Sequence, residues 1–61
     1  MEYKIGDLVR DTSDGEMMII TKMREPCEYD PRRICCWSPK HNDFYWYDHD
    51  DMGNWLEVIR E

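Results

Sequence analysis

The sequence predicts an all-β fold, a small antiparallel meander of five strands that curls on itself. Helical periodicity is weak along the whole chain. Glycines and prolines divide it into pieces too short for ordinary helices, at Gly6, Gly15, Pro26, Pro31, Pro39 and Gly53. The pieces between them are short runs of apolar and aromatic residues, which are typical of strands. Five such runs in 61 residues favour a meander whose closure or near-closure protects the sheet edges.

Each predicted strand is bounded by a turn or a loop. Asp14-Gly15 favours a turn with a positive φ, a polar segment with two prolines follows the second strand, and Pro39 lies in a hairpin connection. In chain order we expect residues 3–5 leading into strand 1 at 8–10, a turn at 11–15, strand 2 at 16–23, a loop at 24–31, strand 3 at Arg32–Ser38, a connection at 38–43, strand 4 at 44–47, a loop or single 3₁₀ turn within 48–55, and strand 5 at Leu56–Ile59.

The alternation of side chains along a strand predicts which residues face the core. On the second strand these are Met18, Ile20 and Met23. The third strand has one face with Cys35 and Trp37 and another with Ile34 and Cys36.

The size of the chain allows one domain, residues 1–61, with one small core. A domain of this size buries only about 60% of the surface that its unfolded chain exposes. Three tryptophans and four tyrosines compensate, because each large aromatic side chain buries roughly 150–250 Å². A small SH3-like barrel is therefore the predicted architecture.

The run of four aromatic residues at 44–47 predicts both core and surface. We expect Phe44 and Trp46 to lie inside, beside Trp37, and Tyr45 and Tyr47 to lie outside, because a tyrosine can keep its hydroxyl in water while its ring covers a neighbour. The predicted partner-binding residues are Tyr45, Tyr47, Trp55, Asp48, Asp50 and Asp51.

Two interpretations of these aromatic residues are open. Exposed rings beside carboxylates attract Arg, Lys or methylated amines through cation–π and ionic attraction, which predicts a peptide groove or an aromatic cage. The alternative is cross-strand packing that stabilises a small barrel and binds nothing.

The charge balance narrows the choice of partners. Fourteen acidic and eight basic side chains give a net charge of −6, which opposes direct binding to nucleic acid. It suits a basic protein partner, or serves solubility alone. We expect a non-enzymatic interaction module; the alternative is an acidic phage or mobile-element inhibitor that mimics nucleic acid and blocks a host protein. A homodimer is left open.

Other chemistry has little support in the sequence. Asp48, Asp50 and Gly53 match three positions of an EF-hand loop, but Met52 and Ile59 stand where ligands are needed. We expect no catalytic residues, no cofactor and no metal, because no nucleophile motif or phosphate loop is present and the metal-ligating residues lack the spacing of zinc sites. The residues that could be read as zinc ligands are Cys27, Cys35, Cys36, His41 and His49.

The expected location is the cytoplasm. Three cysteines are an odd number and imply no disulfide framework, which favours a reducing compartment. The first residues lack a basic segment followed by an apolar one, and no apolar run is long enough to cross a bilayer.

Several short motifs resemble those of the small YodC-like proteins of bacteria. The motifs are Ile5-Gly6-Asp7-Leu8-Val9-Arg10, a turn ending in Gly15, Met18-x-Ile20 and Cys35-x-Trp37, in the same order as V-G-D-x-V, S-G-G, M-T-V and C-x-W. Asp14-Gly15 stands where that family carries paired glycines, and the segment around Pro26 and Pro31 is longer. The resemblance implies an SH3-like barrel of bacterial or phage origin, and it supplies no catalytic or binding residue because the family is largely uncharacterised.

Overall fold

The computed structural model describes residues 3–25 and 27–59, so Pro26 of the predicted loop and both ends of the predicted domain lie outside the described residues. Within these ranges the chain forms five strands and one 3₁₀ helix, η1. Their bounds are β1 (Leu8–Asp11), β2 (Met17–Met23), β3 (Arg32–Ser38), β4 (Asp43–Asp48), η1 (His49–Asp51) and β5 (Leu56–Ile59).

All five strands belong to one antiparallel sheet with the order β4-β3-β2-β1-β5. Strands β1 to β4 form a meander, and β5 returns to pair with β1. The predicted all-β class and the 3₁₀ turn before the last strand are confirmed. The arrangement is consistent with an SH3-like barrel. The sheet is not closed, because β4 and β5 stand at opposite ends of the strand order and do not pair.

Turns and bulges shape the sheet. Gly15 has φ +78°, as the Asp14-Gly15 pair predicts, and a residue with a side chain would be strained there. The pairing of β2 with β3 shifts between Ile20 and Lys22, and bulges of this kind bend a strand and increase its twist. No helix within residues 3–25 and 27–59 is long and apolar enough to cross a membrane.

The core occupies one face of the sheet. Its buried side chains come from four strands and from the turn after η1: Val9, Met18, Ile20, Ile34, Cys36, Met52 and Leu56. Tyr3, Tyr47 and Val58 pack against this cluster and are partly buried. We call this the inner face and the opposite one the outer face.

The predicted orientation of strand β4 is wrong. The register places Tyr47 opposite the buried Ile34 and Tyr45 opposite the buried Cys36, so both tyrosines belong to the inner face. The alternation of side chains then turns Phe44 and Trp46 outward, and Phe44 is 51% exposed. Tyr47 is accommodated inside because its hydroxyl lies 3.7 Å from the sulfur of Met18.

Two expectations about which side chains face the core hold only in part. The irregular pairing after Ile20 places Met23 opposite the buried Ile34, on the inner face as expected, but at the end of β2 its side chain is not covered and remains 41% exposed. The grouping of β3 side chains into two faces is correct, but the expectation that Trp37 lies inside is wrong: Ile34 and Cys36 belong to the core cluster, and Cys35 and Trp37 point the other way.

Candidate partner-binding surface

A continuous line of apolar side chains crosses the outer face. Leu8 pairs with Ile19, Ile19 pairs with Trp37, and Trp37 pairs with Phe44. On the other side of β1, Leu8 pairs with Ile59. Directly paired residues of an antiparallel sheet lie about 4.5–5.5 Å apart. We call these five residues the apolar row: Ile59, Leu8, Ile19, Trp37 and Phe44.

The apolar row remains accessible along much of its length. Leu8 is 46% exposed and Phe44 is 51% exposed, whereas the other three members are partly buried. The rings of Trp37 and Phe44 lie 4.8 Å apart between centroids, with an interplanar angle of 57°. Such tilted contacts hold aromatic side chains in defined positions without covering both faces. The row is therefore a preformed apolar surface.

Charged side chains border the apolar row on both sides. One border holds Arg10, which donates a hydrogen bond to the carboxylate of Glu57 on the neighbouring strand. The other holds Lys22, which lies opposite Cys35 on β3, and Cys35 in turn lies opposite Trp46. Lys22 is exposed and forms no ion pair with any residue in the described ranges.

The Arg24 guanidinium covers the face of Trp46. Its central carbon lies 4.1 Å from the ring centroid, a cation–π contact at the edge of the outer face. Arg24 also donates to Asp30 at 2.7 Å, and Asp30 accepts from Arg32 at 2.9 Å. Hydrogen bonds from the Arg32 side chain, then from its backbone, hold the pKa of Asp30 far below its usual range. This network fixes the β2–β3 loop against the sheet.

The structure brings together only some of the residues predicted to bind a partner. Asp48, Asp50 and Asp51 lie at η1, and Trp55 is next to them because its backbone N–H donates to the Asp51 carbonyl. Tyr47 packs on the core, and burial raises its pKa to about 12. Tyr45 is 37% exposed on the inner side of the β4 edge, where its ring meets His41 edge-on at 5.9 Å between centroids. Trp55 is exposed in the turn before β5, and its carbonyl accepts the Thr12 backbone N–H.

The predicted acidic residues serve mainly to begin η1. Asp48 is the N-cap, and its side chain accepts the Asp51 backbone N–H at 3.1 Å. Asp51 returns the contact by accepting the Asp48 backbone N–H at 3.0 Å. This reciprocal capping box uses both carboxylates locally. The side chain of Asp50 remains exposed, and the backbone carbonyl of Asp50 accepts a hydrogen bond from the Asn54 side-chain amide.

A small groove beside η1 contains mixed charge. It has a volume of about 190 Å³ and is lined by Pro31, Arg33, Asp48, His49 and Asp50. The buried Nε of Arg33 has no hydrogen-bond partner within the described part of the chain. Because two carboxylates line the same groove, the charge of Arg33 is locally balanced and the groove has no strong preference for anions.

The polar groups near the β3–β4 turn include a serine, a histidine and a carboxylate, which are the residue types of a catalytic triad. Their spatial order differs from that of a triad. Ser38 is fully buried and donates its hydroxyl proton to Glu16. His41 lies on the far side of Glu16, with Nε2 at 3.6 Å from the carboxylate. A serine nucleophile needs the imidazole next to its own hydroxyl, so this arrangement does not activate Ser38. Within the described residues, no three His, Cys, Asp or Glu side chains form a group that could hold a metal ion.

Comparisons of the chain with protein-family models, curated proteins and solved structures find no match. The resemblance to YodC-like proteins therefore stays a prediction from short motifs. The apolar row was missed because its members come from five separate strands. Its one sequence signal is the apolar character of both faces at Leu8-Val9, Met18-Ile19-Ile20 and Val58-Ile59, where a half-exposed sheet would alternate with polar residues.

Proposed function

We propose that this protein is a small non-enzymatic interaction module that docks on a protein partner through the apolar row. The single observation that carries the proposal is the continuity of the row across all five strands. Exposed apolar groups on a soluble domain are usually scattered, and a contiguous patch typically marks a contact site.

The chemistry of the row suits protein recognition. Trp and Phe provide large rigid contact areas, and aromatic residues near the centre of an interface often contribute most of its affinity. Trp37 and Phe44 already contact each other, so binding requires little further ordering of these rings. The proposed contact surface thus differs from the one expected from the alternation of residues 44–47.

The nucleic-acid mimic draws less support from the arrangement of the acids. A mimic needs carboxylates arrayed on one face and free to contact basic groups. Asp48 and Asp51 cap η1, Asp30 holds two arginines, and Glu57 binds Arg10. These carboxylates are engaged within the chain and lie in different parts of the fold.

The proposal is tested by making the row polar at its exposed positions. We expect the double variant Leu8→Ser and Phe44→Ser to lose the partner that the parent chain captures from an extract of its native host. Both side chains are about half exposed, so folding is expected to survive, and circular dichroism checks this. Tyr29→Ser is the matched control, because Tyr29 is 91% exposed in the β2–β3 loop. Retention of the same partner by the folded double variant refutes the proposed surface.

A further inference from the structure

We propose that the apolar row, with its cationic border, binds an acidic amphipathic segment of a partner protein. In this arrangement the segment's apolar side chains cover the row, and its carboxylates contact Lys22 and the exposed part of Arg24. The inference rests on the proposed function and adds the chemical class of the partner.

Charge is unevenly distributed between the outer face and the rest of the chain. The charged residues that border the row on neighbouring strands are Arg10, Lys22 and Glu57, and Arg24 reaches the same face over Trp46. Three cations therefore accompany two carboxylates on this face, Glu57 and the Asp30 that binds Arg24, although the chain as a whole has a net charge of −6. Most other acids of the described ranges lie at the end of β1, in the β1–β2 turn, in the β2–β3 loop and around η1: Asp11, Asp14, Glu25, Glu28, Asp48, Asp50 and Asp51.

One of these cations, Lys22, is available to a partner. Arg10 is paired with Glu57, and Arg24 shares Asp30 with Arg32. Lys22 is exposed next to the row and forms no ion pair within residues 3–25 and 27–59. A carboxylate placed over it gains a partner without breaking an existing ion pair.

The overall acidity of the chain does not cancel this local preference. At physiological ionic strength, charges separated by more than about 8 Å are largely screened from each other in solvent. A segment lying on the row therefore responds mainly to its immediate neighbours. The basic partner suggested by the net charge alone is better suited to the acidic turns than to this face.

Two other occupants fit the face less well. A second copy packed face to face would bring the same excess of cations against itself, which is unfavourable. Single-stranded nucleic acid needs open aromatic faces for stacking. The Trp46 face is covered by Arg24, and Trp37 and Phe44 lie at 57° to each other rather than side by side in one plane.

The test is selection of a displayed random-peptide library on the full chain. We expect the enriched peptides to combine Asp or Glu with large apolar residues. Lys22→Glu is expected to weaken a selected peptide by at least about threefold, with the difference shrinking at high salt. Lys40→Glu is the control with the same charge change, placed in the β3–β4 turn beside Asp14. It should leave the affinity unchanged.

Each alternative outcome overturns the inference. These outcomes are enrichment of basic peptides, equal binding by Lys22→Glu, or no enrichment over the folded Leu8→Ser and Phe44→Ser variant. Tighter binding of a fluorescent oligothymidine than of any peptide, or a dimer that Phe44→Ser dissociates in sedimentation, also overturns it. If any of these outcomes is found while the double variant still loses its host partner, the proposed function stands and only the partner class is wrong.

Discussion

Ser38 shows how one buried polar side chain constrains its neighbours. It is fully buried at the end of β3, and its hydroxyl donates to Glu16 while accepting the His41 backbone N–H at 3.2 Å. A buried hydroxyl without an acceptor costs about 1–3 kcal/mol. Glu16, in the connection between β1 and β2, therefore stabilises the β3–β4 turn. In the sequence it looks like an ordinary solvated acid.

Replacement of Glu16 tests this role. We expect Glu16→Ala to lower the free energy of unfolding by about 1–3 kcal/mol, because Ser38 loses its acceptor. Glu16→Gln keeps a side-chain oxygen at the same position and should lose clearly less. Urea denaturation followed by tryptophan fluorescence measures both. Equal losses for the two variants would contradict the hydrogen bond as the cause.

At the scale of elements, the acidic run at residues 48–51 is a helix start. The sequence predicts a 3₁₀ turn in this region and, separately, a binding role for Asp48 and Asp51. The structure uses both carboxylates in the capping box of η1. Burial of Met52 directly after η1 explains why the geometry of this short element matters for the core.

Two substitutions with the same charge change separate capping from surface charge. We expect Asp48→Ala to lower the free energy of unfolding by about 0.5–2 kcal/mol, because the cap is lost. Asp50→Ala removes an exposed carboxylate and should change stability by less than about 0.5 kcal/mol. Thermal denaturation of both variants provides the comparison. A larger effect at Asp50 would mean that net charge, not capping, governs this segment.

Strand β4 shows the limit of sequence reasoning at this scale. Alternating apolar residues predict a strand and its two faces, but residues 44–47 are all aromatic and the pattern has no polar phase. The choice of face depends on register with β3, where Ile34 and Cys36 are already committed to the core. That register places the tyrosines inside and opens Phe44 to solvent.

At the scale of the whole molecule, the core joins two groups that resist ionisation. Burial, and then the neighbouring Cys35 thiol, raises the pKa of Cys36 from 9.0 to about 12. Burial, and then Cys36, raises the pKa of Tyr47 from 10.0 to about 12. Both groups stay protonated in the folded chain at pH values where the unfolded chain loses these protons.

The folded protein is therefore expected to lose stability in alkali. Above about pH 9 the unfolded state binds fewer protons than the folded state, so the free energy of unfolding falls as the pH rises towards about 12. Below pH 9 these two groups contribute no pH dependence. Tyr47→Phe removes the tyrosine's share and should flatten the fall between about 10 and 12. Denaturation curves across this range check the slope, and parallel curves for parent and variant would contradict it.

The sequence by itself determined the strand-rich class, the five elements in order and the 3₁₀ turn before β5. These follow from local chemistry: glycine and proline positions and short apolar runs between them. Only the tertiary structure decided which aromatic residues are buried and that five strands align Ile59, Leu8, Ile19, Trp37 and Phe44. Register sets both, and it results from the whole core packing at once, which no single segment encodes.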